Sequence, residues 1–289
     1  MNIQDLKYYH ELLKQKNYTK TAQIFGVSQP TISAAVKRLE EQFGGQFLIR
    51  NQSHQKIIVT KLGMQFDEHV QSILKEMNVA QKEIKQRPGQ DILFGLPPII
   101  GDHYFPKIAP QLLSSHILNH LKVLEHGSYE LQEMLTEGRI NIALLGNTDQ
   151  NIASKLDIKV LKKFPIQVIV NPNHPWAKRK GIYFKELKDQ PFITLTEDYV
   201  HAKAIKEMTK KEKLTLHPVY ESPDVPIVKS LVAKNLGISY LTTFAINSHD
   251  KIVSIPLLDK HQPSFLLVAA KRKNYILNEK EEKLWDTLK

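Results

Sequence analysis

The 289 residues predict an α/β protein preceded by a small helical unit and one long helix. Three observations lead there. Residues 3–43 carry apolar positions at helical spacing, interrupted twice by short polar turns. From Leu62 to Ile84 a single apolar stripe continues on one helical face. From residue 91 onward, short apolar runs alternate with amphipathic stretches, as strands and helices do in α/β sheets.

Composition narrows the class. The chain has no cysteine, so disulfides and cysteine-ligated metals are excluded, which suits a reducing compartment. The opening "MNIQDLKYYHELLKQKNYTK" is amphipathic and carries acids, unlike a signal peptide. No stretch approaches the ~18 apolar residues of a membrane span. A cytoplasmic protein is expected, without membrane contact. Residues 1–61 hold nine Lys/Arg against four Asp/Glu, residues 62–90 four of each, and residues 91–289 hold 27 against 22. The positive excess per residue is therefore about three times denser at the N-terminus than in the last segment. That suits nucleic acid, and equally a plain basic surface.

Ile3, Leu6, Tyr9, Leu12 and Leu13 predict a first helix over 3–15. Asn17 breaks it, and Thr19 is placed to cap a second helix that runs through Phe25 and buries Ala22, Ile24 and Phe25. Gly26 supplies the positive φ that ends it. Ser28 caps a third helix, and Pro30 sits in its first turn, where no N–H is needed. Ile32, Val36, Leu39 and Phe43 form the buried stripe of this helix, and Gln29, Thr31, Ser33, Lys37 and Arg38 its open face. A helix, a short helix, a tight turn and a further helix make a helix-turn-helix. Its second member presents N-terminal residues to base edges in the major groove of double-stranded DNA. Capping requires only Ser28. The additional polar residues suit bases: Gln bonds adenine twice, and Ser or Thr bonds several bases. An ordinary capped surface helix is the competing reading, and Lys37 and Arg38 read equally as solvated charges. After Gly44-Gly45, "QFLIR" and "KIIVT" predict a β-hairpin wing, with Arg50, His54 and Lys56 at or beside its tip, where phosphates are in reach.

"TAQIFGVSQPTISAAVKRLEEQFGGQFLIRN" followed by "IVTKLG" resembles the winged helix-turn-helix of LysR-type transcriptional regulators. Ala22, Val27, Ser28, Gln29, Pro30, Ser33, Leu39, Glu40, Gly44, Arg50, Thr60 and Gly63 stand at the family's positions. The resemblance implies that Gln29, Pro30 and Ser33 face bases, while Thr31, Lys37, Arg50 and the wing face phosphate. Ala34 departs from it: relatives often place there an Arg that touches bases. "QFLIR" transposes the usual Leu-Phe, a change in packing.

Leu62, Phe66, Val70, Ile73, Met77, Ala80 and Ile84 follow one another in steps of three and four, a seam sustained over more than three heptads. Thr60 caps this helix and "RPGQ" at 87–90 ends it. A rod with one apolar stripe must pair or dock on its own domain. The family pairs it with a second copy, which implies a homodimer or homotetramer whose recognition helices meet the two halves of a palindromic operator.

In the remainder, "DILFGL", "LKVLEHG", "NIALLG", "IQVIVN", "PFITL", "HPVYES", "ISYLTT" and "FLLVAAKRK" read as strands. Helices are expected at about 106–119, 129–138, 200–213, 224–237 and 277–289, with mainly parallel pairing. "FPKIAPQLL", "MLTEGRINIALLG", "NPNHPWAKRKGIYFKELKDQPFITL" and "SLVAKNLGISYL" resemble the LysR effector domain. That implies two Rossmann-like subdomains joined by two crossovers, like a periplasmic binding protein. The implied division is 1–60 DNA-binding, 61–90 linker and dimerisation helix, and 91–289 effector-binding. The last splits into 91–162 plus 267–289, and 163–266. Asn141 stands where relatives usually have Asp.

Ligands in such folds sit at strand C-terminal ends, near helix N-termini that favour anions. "LPPIIGDH", "HGSYE", "TLTEDYVHAK" and "SPDVP" reach that edge. Relatives often hold a carboxylate with Ser or Thr in the first loop, where this chain has Pro97, Pro98 and Ile99. Ser128, Thr196, His201 and Lys203 are the compensating donors, each also readable as a capping or surface residue, and Asp224 in "SPDVP" joins Pro98 and Ile99 as a further effector-site candidate. They suggest a small organic acid, with His and Lys suiting a dicarboxylate. "SQPTIS", "VKRLE" and "SHQ" are similar to family members for which malate is the implied effector. RNA polymerase is a further partner the family implies, and no cofactor is implied.

An enzyme would need a motif, and no G-x-S-x-G, H-E-x-x-H, P-loop or G-x-G-x-x-G is present. His116 and His120, four apart on an expected helix, could hold a metal but lack a third ligand. The remaining rival is a periplasmic-type solute-binding protein without DNA function.

Overall fold

The computed structural model describes residues 2–50, 57–85, 91–148 and 155–289. The chain forms two compact units, 1–85 and 86–289. His54, Lys56 and the "RPGQ" at 87–90 lie outside the described residues.

The first unit contains α1 (Ile3–Gln15), α2 (Tyr18–Phe25), α3 (Gln29–Phe43), β1 (Leu48–Arg50), β2 (Ile57–Val59) and α4 (Lys61–Lys85). Leu6, Tyr9, Leu12, Ile32, Ala35, Val36 and Leu39 form its core. Asn17, not Thr19, caps α2, its side chain accepting from the Lys20 N–H at 2.9 Å. Thr19 therefore lies inside the helix, where its hydroxyl is not needed for a cap. Gly26 and Gly44 end α2 and α3 at φ 64° and 65°, a region open to glycine without strain.

Two expected core residues are outside. Ile24 is 51% exposed because α2 is only two turns long and turns Thr21 and Ala22 inward instead. Phe43, at the end of α3, is half exposed and lies against Phe66 at 4.7 Å between ring centroids. The wing is antiparallel, with Leu48 opposite Val59 and Arg50 opposite Ile57.

Thr60 caps α4, its hydroxyl accepting from the Gly63 N–H at 2.9 Å. Gly63 is required by close approach, since a Cβ there would meet the Phe47 carbonyl oxygen at 2.4 Å. The α4 stripe is divided between two tasks. Phe66, Val70 and Leu74 pack into the first unit's core, while Leu62, Ile73 and Ile84 are exposed, Ile84 by 84%.

The second unit contains β3 (Ile92–Gly95), α5 (Pro98–His103), α6 (Phe105–Ser114), β4 (Leu121–Leu124), α7 (Ser128–Thr136), β5 (Ile142–Asn147) and β6 (Leu156–Val170). It continues with β7 (Phe192–Leu195), α8 (Val200–Glu212), β8 (Pro218–Ser222), α9 (Val225–Ala233), β9 (Ser239–Thr242), β10 (Val253–Ile255), β11 (Ser264–Arg272) and α10 (Glu279–Thr287). One sheet has the order β10-β6-β11-β5-β3-β4, with β9 also on β6, and β7 pairs with β8.

Pairing is mixed rather than parallel. β3–β4, β3–β5 and β7–β8 are parallel, but β6 and β11 run antiparallel to each other and to their other neighbours. The reason is the length of β6, 15 residues, of which the sequence reading saw only the last five. Its first part, "LDIKVLKKFP", alternates charged and apolar residues and carries a Pro, so it lacks the continuous apolar run of the others. Residues 156–165 pair with β11, and residues 166–169 pair with β9. β6 thus runs through both sheet regions, while β11 pairs only with β5 and the first part of β6. The expected helix at 106–119 stops at Ser114. His116 lies in a turn at φ 58° and His120 in a short 3-10 segment 4.0 Å from Asp91, so the two histidines do not share a helix face.

Candidate DNA interface and effector cleft

The front of α3 is built by capping and by two tethers. The Ser28 side chain accepts from the Thr31 N–H, and the two hydroxyls lie 2.9 Å apart. Pro30 occupies the first turn. Behind this front, Arg38 makes a two-pronged contact with Asp5, at 2.6 and 3.1 Å, and Asp5 is only 2% exposed. Arg38 therefore links α3 to α1 through a buried carboxylate, while its own side chain stays half exposed. Glu40 accepts from the N–H groups of Phe47 and Leu48 at 2.7 and 3.0 Å, tying α3 to the start of the wing. The helix is held from both sides, and its outer stripe remains on the surface. Pro30, Ala34 and Lys37 are exposed, and Gln29, Thr31 and Ser33 are half-buried. Lys37 lies 3.5 Å from Glu41. Arg50 closes β1.

The cleft in the second unit is a cavity of about 170 Å³ lined by Pro97, Pro98 and Ile99, by His126, Gly127 and Ser128, by Thr196 and residues 198–201, and by Pro223 and Phe265. Five of the seven effector candidates line it: Pro98, Ile99, Ser128, Thr196 and His201. Lys203 and Asp224 do not. Lys203 is exposed on α8, two positions past His201 and hence on another face. The Asp224 carboxylate caps α9, accepting from the Ile227 N–H at 3.3 Å. His126, Tyr199 and Phe265 also line the cavity. His126 and Tyr199 lie in "HGSYE" and "TLTEDYVHAK", segments expected at this edge, whereas no local motif marks Phe265, which comes from a strand 64 residues beyond His201 in the chain.

The polar groups are fixed in their roles. Among the described residues, four buried side-chain polar atoms have no partner, and two of them, Thr196 Oγ1 and His201 Nδ1, belong to residues lining this cavity. His201 is 1% exposed. Its Nε2 accepts from the Thr242 N–H at 3.2 Å, so the ring proton sits on Nδ1 and makes that atom a donor. Burial lowers the His201 pKa to about 4, keeping the ring neutral. The ring stacks on Phe265 at 6.0 Å. The Ser128 hydroxyl accepts from the Gly146 N–H at 2.9 Å and retains its own proton to donate. Gly146 must lack a side chain, since a Cβ would meet the Phe265 ring at 2.5 Å. The helices α7 and α8 begin among the residues lining this cavity, and neither has a side-chain cap. A buried donor without an acceptor costs about 1–3 kcal/mol, so an acceptor-rich ligand gains by satisfying these groups.

A capped helix-turn-helix on one unit and a polar-lined cavity on an α/β unit are the features with which the chain can be compared with known proteins. Residues 3–64 match the bacterial regulatory helix-turn-helix proteins of the lysR family, and residues 85–289 match the LysR substrate-binding domain. The chain belongs to the LysR family of DNA-binding transcriptional regulators, and it is not an enzyme. It is 32% identical over 290 residues to the malolactic fermentation system transcriptional activator of Lactococcus lactis, covering 100% of this chain and 98% of that protein. It is 29% identical to the uncharacterized HTH-type transcriptional regulator YwbI of Bacillus subtilis, covering 100% and 99%. The crystal structure of HinK, a LysR family regulator from Pseudomonas aeruginosa, superimposes with a TM-score of 0.56 at 20% identity, covering 99% of this chain and 97% of that one. Membership removes the reading as a solute-binding protein without DNA function. Among the described residues, no helix is long and apolar enough to cross a membrane, and no group of three metal-ligating side chains is assembled.

Proposed function

We propose that the protein regulates transcription in the cytoplasm in response to a small organic acid held in the cleft, with L-malate as the first candidate. The observation that carries this is the pair of unpartnered polar atoms, Thr196 Oγ1 and His201 Nδ1, at a cavity where two uncapped helices begin. The choice of malate is supported by the relative named for malolactic fermentation.

In this reading Gln29, Pro30 and Ser33 contact bases, and Thr31, Lys37, Arg50, His54 and Lys56 contact phosphate. Two copies pair through the exposed part of the α4 stripe, Leu62, Ile73 and Ile84, and place two recognition helices on a palindromic operator. The acid acts by its different affinity for two arrangements of the oligomer on DNA, changing the access of RNA polymerase.

Thermal unfolding of the full chain at pH 5.5 against L-malate, L-lactate, citrate and amino acids tests the cleft. Ligand at 100 times its Kd should add about 2.7 kcal/mol, and His201→Gln should remove most of that gain. Absence of a shift with every acid, or a shift that persists unchanged in the variant, overturns this assignment.

A further inference from the structure

The charges around the cleft are lopsided. Segments 96–103, 125–128, 196–201 and 222–225, which follow β3, β4, β7 and β8, contain no Lys or Arg, but hold Asp102, Glu125, Glu197, Asp198 and Asp224.

Of the side chains lining the cavity, Asp198 is the one that carries a carboxylate. His126 lies 3.0 Å from the Glu130 carboxylate, which offsets any charge it acquires. His201 is held neutral, with its proton on Nδ1, by the Thr242 N–H at Nε2. Lys203, the cation the sequence offered, is not among the lining residues.

What favours an anion here is the uncapped helix starts. A helix N-terminus is equivalent to roughly half a positive charge, so α7 and α8 together match about one negative charge. α5 also begins here without a side-chain cap, but it is six residues long and its first residue, Pro98, has no N–H to offer. The start of α9 adds little, because the Asp224 carboxylate already occupies it. The other groups, Thr196 Oγ1, Ser128 Oγ and His201 Nδ1, are neutral hydrogen-bonding atoms.

We infer that the cleft selects a singly charged acid, one carboxylate accompanied by neutral polar groups, and rejects the dianion of a dicarboxylic acid. The inference rests on the cleft reading proposed above. Malate would enter as its hydrogen-malate form, with the second carboxyl group protonated and acting as one of the neutral polar groups.

The test is titration calorimetry of the full chain at pH 7.5 with two probes of one skeleton, L-malate and its 4-amide, which differ by one charge. The amide should bind at least tenfold more tightly. Asp198→Asn should raise the affinity for L-malate fivefold or more and leave the amide within twofold; Asp198 is exposed, so the variant keeps its fold. L-malate binding as tightly as the amide, or more tightly, overturns the charge selection while leaving the cleft as the acid site. Binding of neither probe overturns the cleft assignment and the charge selection with it.

Discussion

The two recognition surfaces of this chain are built on opposite plans. On α3 the polar side chains meant for a partner stand on the outside of one helix, within ten residues of sequence, and the tethers Arg38–Asp5 and Glu40 to the wing hold them up from behind. In the cleft two polar atoms, Thr196 Oγ1 and His201 Nδ1, are buried and left without partners in the folded chain, and the residues lining the cavity around them come from segments far apart in sequence. A surface that reads a polyanion keeps its groups hydrated until contact, because much of the affinity comes from released counterions. A pocket for a small acid carries the desolvation cost in advance, and so gains selectivity from each unpaired group.

Breaking the comparison at the dimer level should have the largest effect. Ile73→Asp with Ile84→Asp places charges on the exposed α4 stripe. Sedimentation should show monomers, and affinity for a two-half-site operator should fall by about 10²–10⁴-fold through lost bivalency. A monomer that still binds the full site as tightly would separate operator binding from pairing.

Next is the pH response of the cleft. The folded-state pKa of His201 is lowered to about 4, from about 6.5 when unfolded. The unfolded chain therefore binds the extra proton first. The stabilisation is fully present above pH 6.5 and is lost as pH falls through 4, by on the order of 3 kcal/mol. Denaturant unfolding across that range should show the loss, and His201→Gln should flatten it, its amide oxygen still accepting from the Thr242 N–H.

A smaller effect is expected at the base contacts. Ser33→Ala and Gln29→Ala should each cost about 1–3 kcal/mol on specific DNA, and much less on random sequence. Equal losses on both DNAs in a mobility-shift titration would remove the base assignment. The smallest is Lys37→Ala, which should lower the slope of log affinity against log salt by about 0.9 and leave sequence preference intact.

The same contrast explains what was legible. The N-terminal unit could be read nearly residue by residue because these positions answer to local chemistry: Ser28 caps, and Gly26 and Gly44 take positive φ. The close approach at Gly63 depends on Phe47, sixteen residues away, and was not legible. Two details of α2 also differ. Asn17 took the cap from Thr19, and Ile24 faced outward on a helix too short for a wide apolar face.

In the second unit the strands with continuous apolar runs were visible. The crossover half of β6 was not, because its inward and outward residues alternate and Pro165 interrupts them. Five effector candidates line the cavity because they follow strand ends. Lys203 and Asp224 share those segments without lining it, since loop membership does not say which way a side chain faces. His126 lies in "HGSYE", one of the segments expected at that edge, whereas Phe265 carries no signal apart from the folded sheet.

The most direct test joins the two surfaces in one measurement. An operator selected from random duplexes by the full chain would be footprinted at pH 5.5 with and without each acid of the panel. The account predicts salt-sensitive binding at all times, and a footprint that changes with at least one acid in the wild type and with none in His201→Gln. A footprint that never responds to an acid, or responds equally in His201→Gln, would contradict the claim that this cleft governs the DNA-bound state.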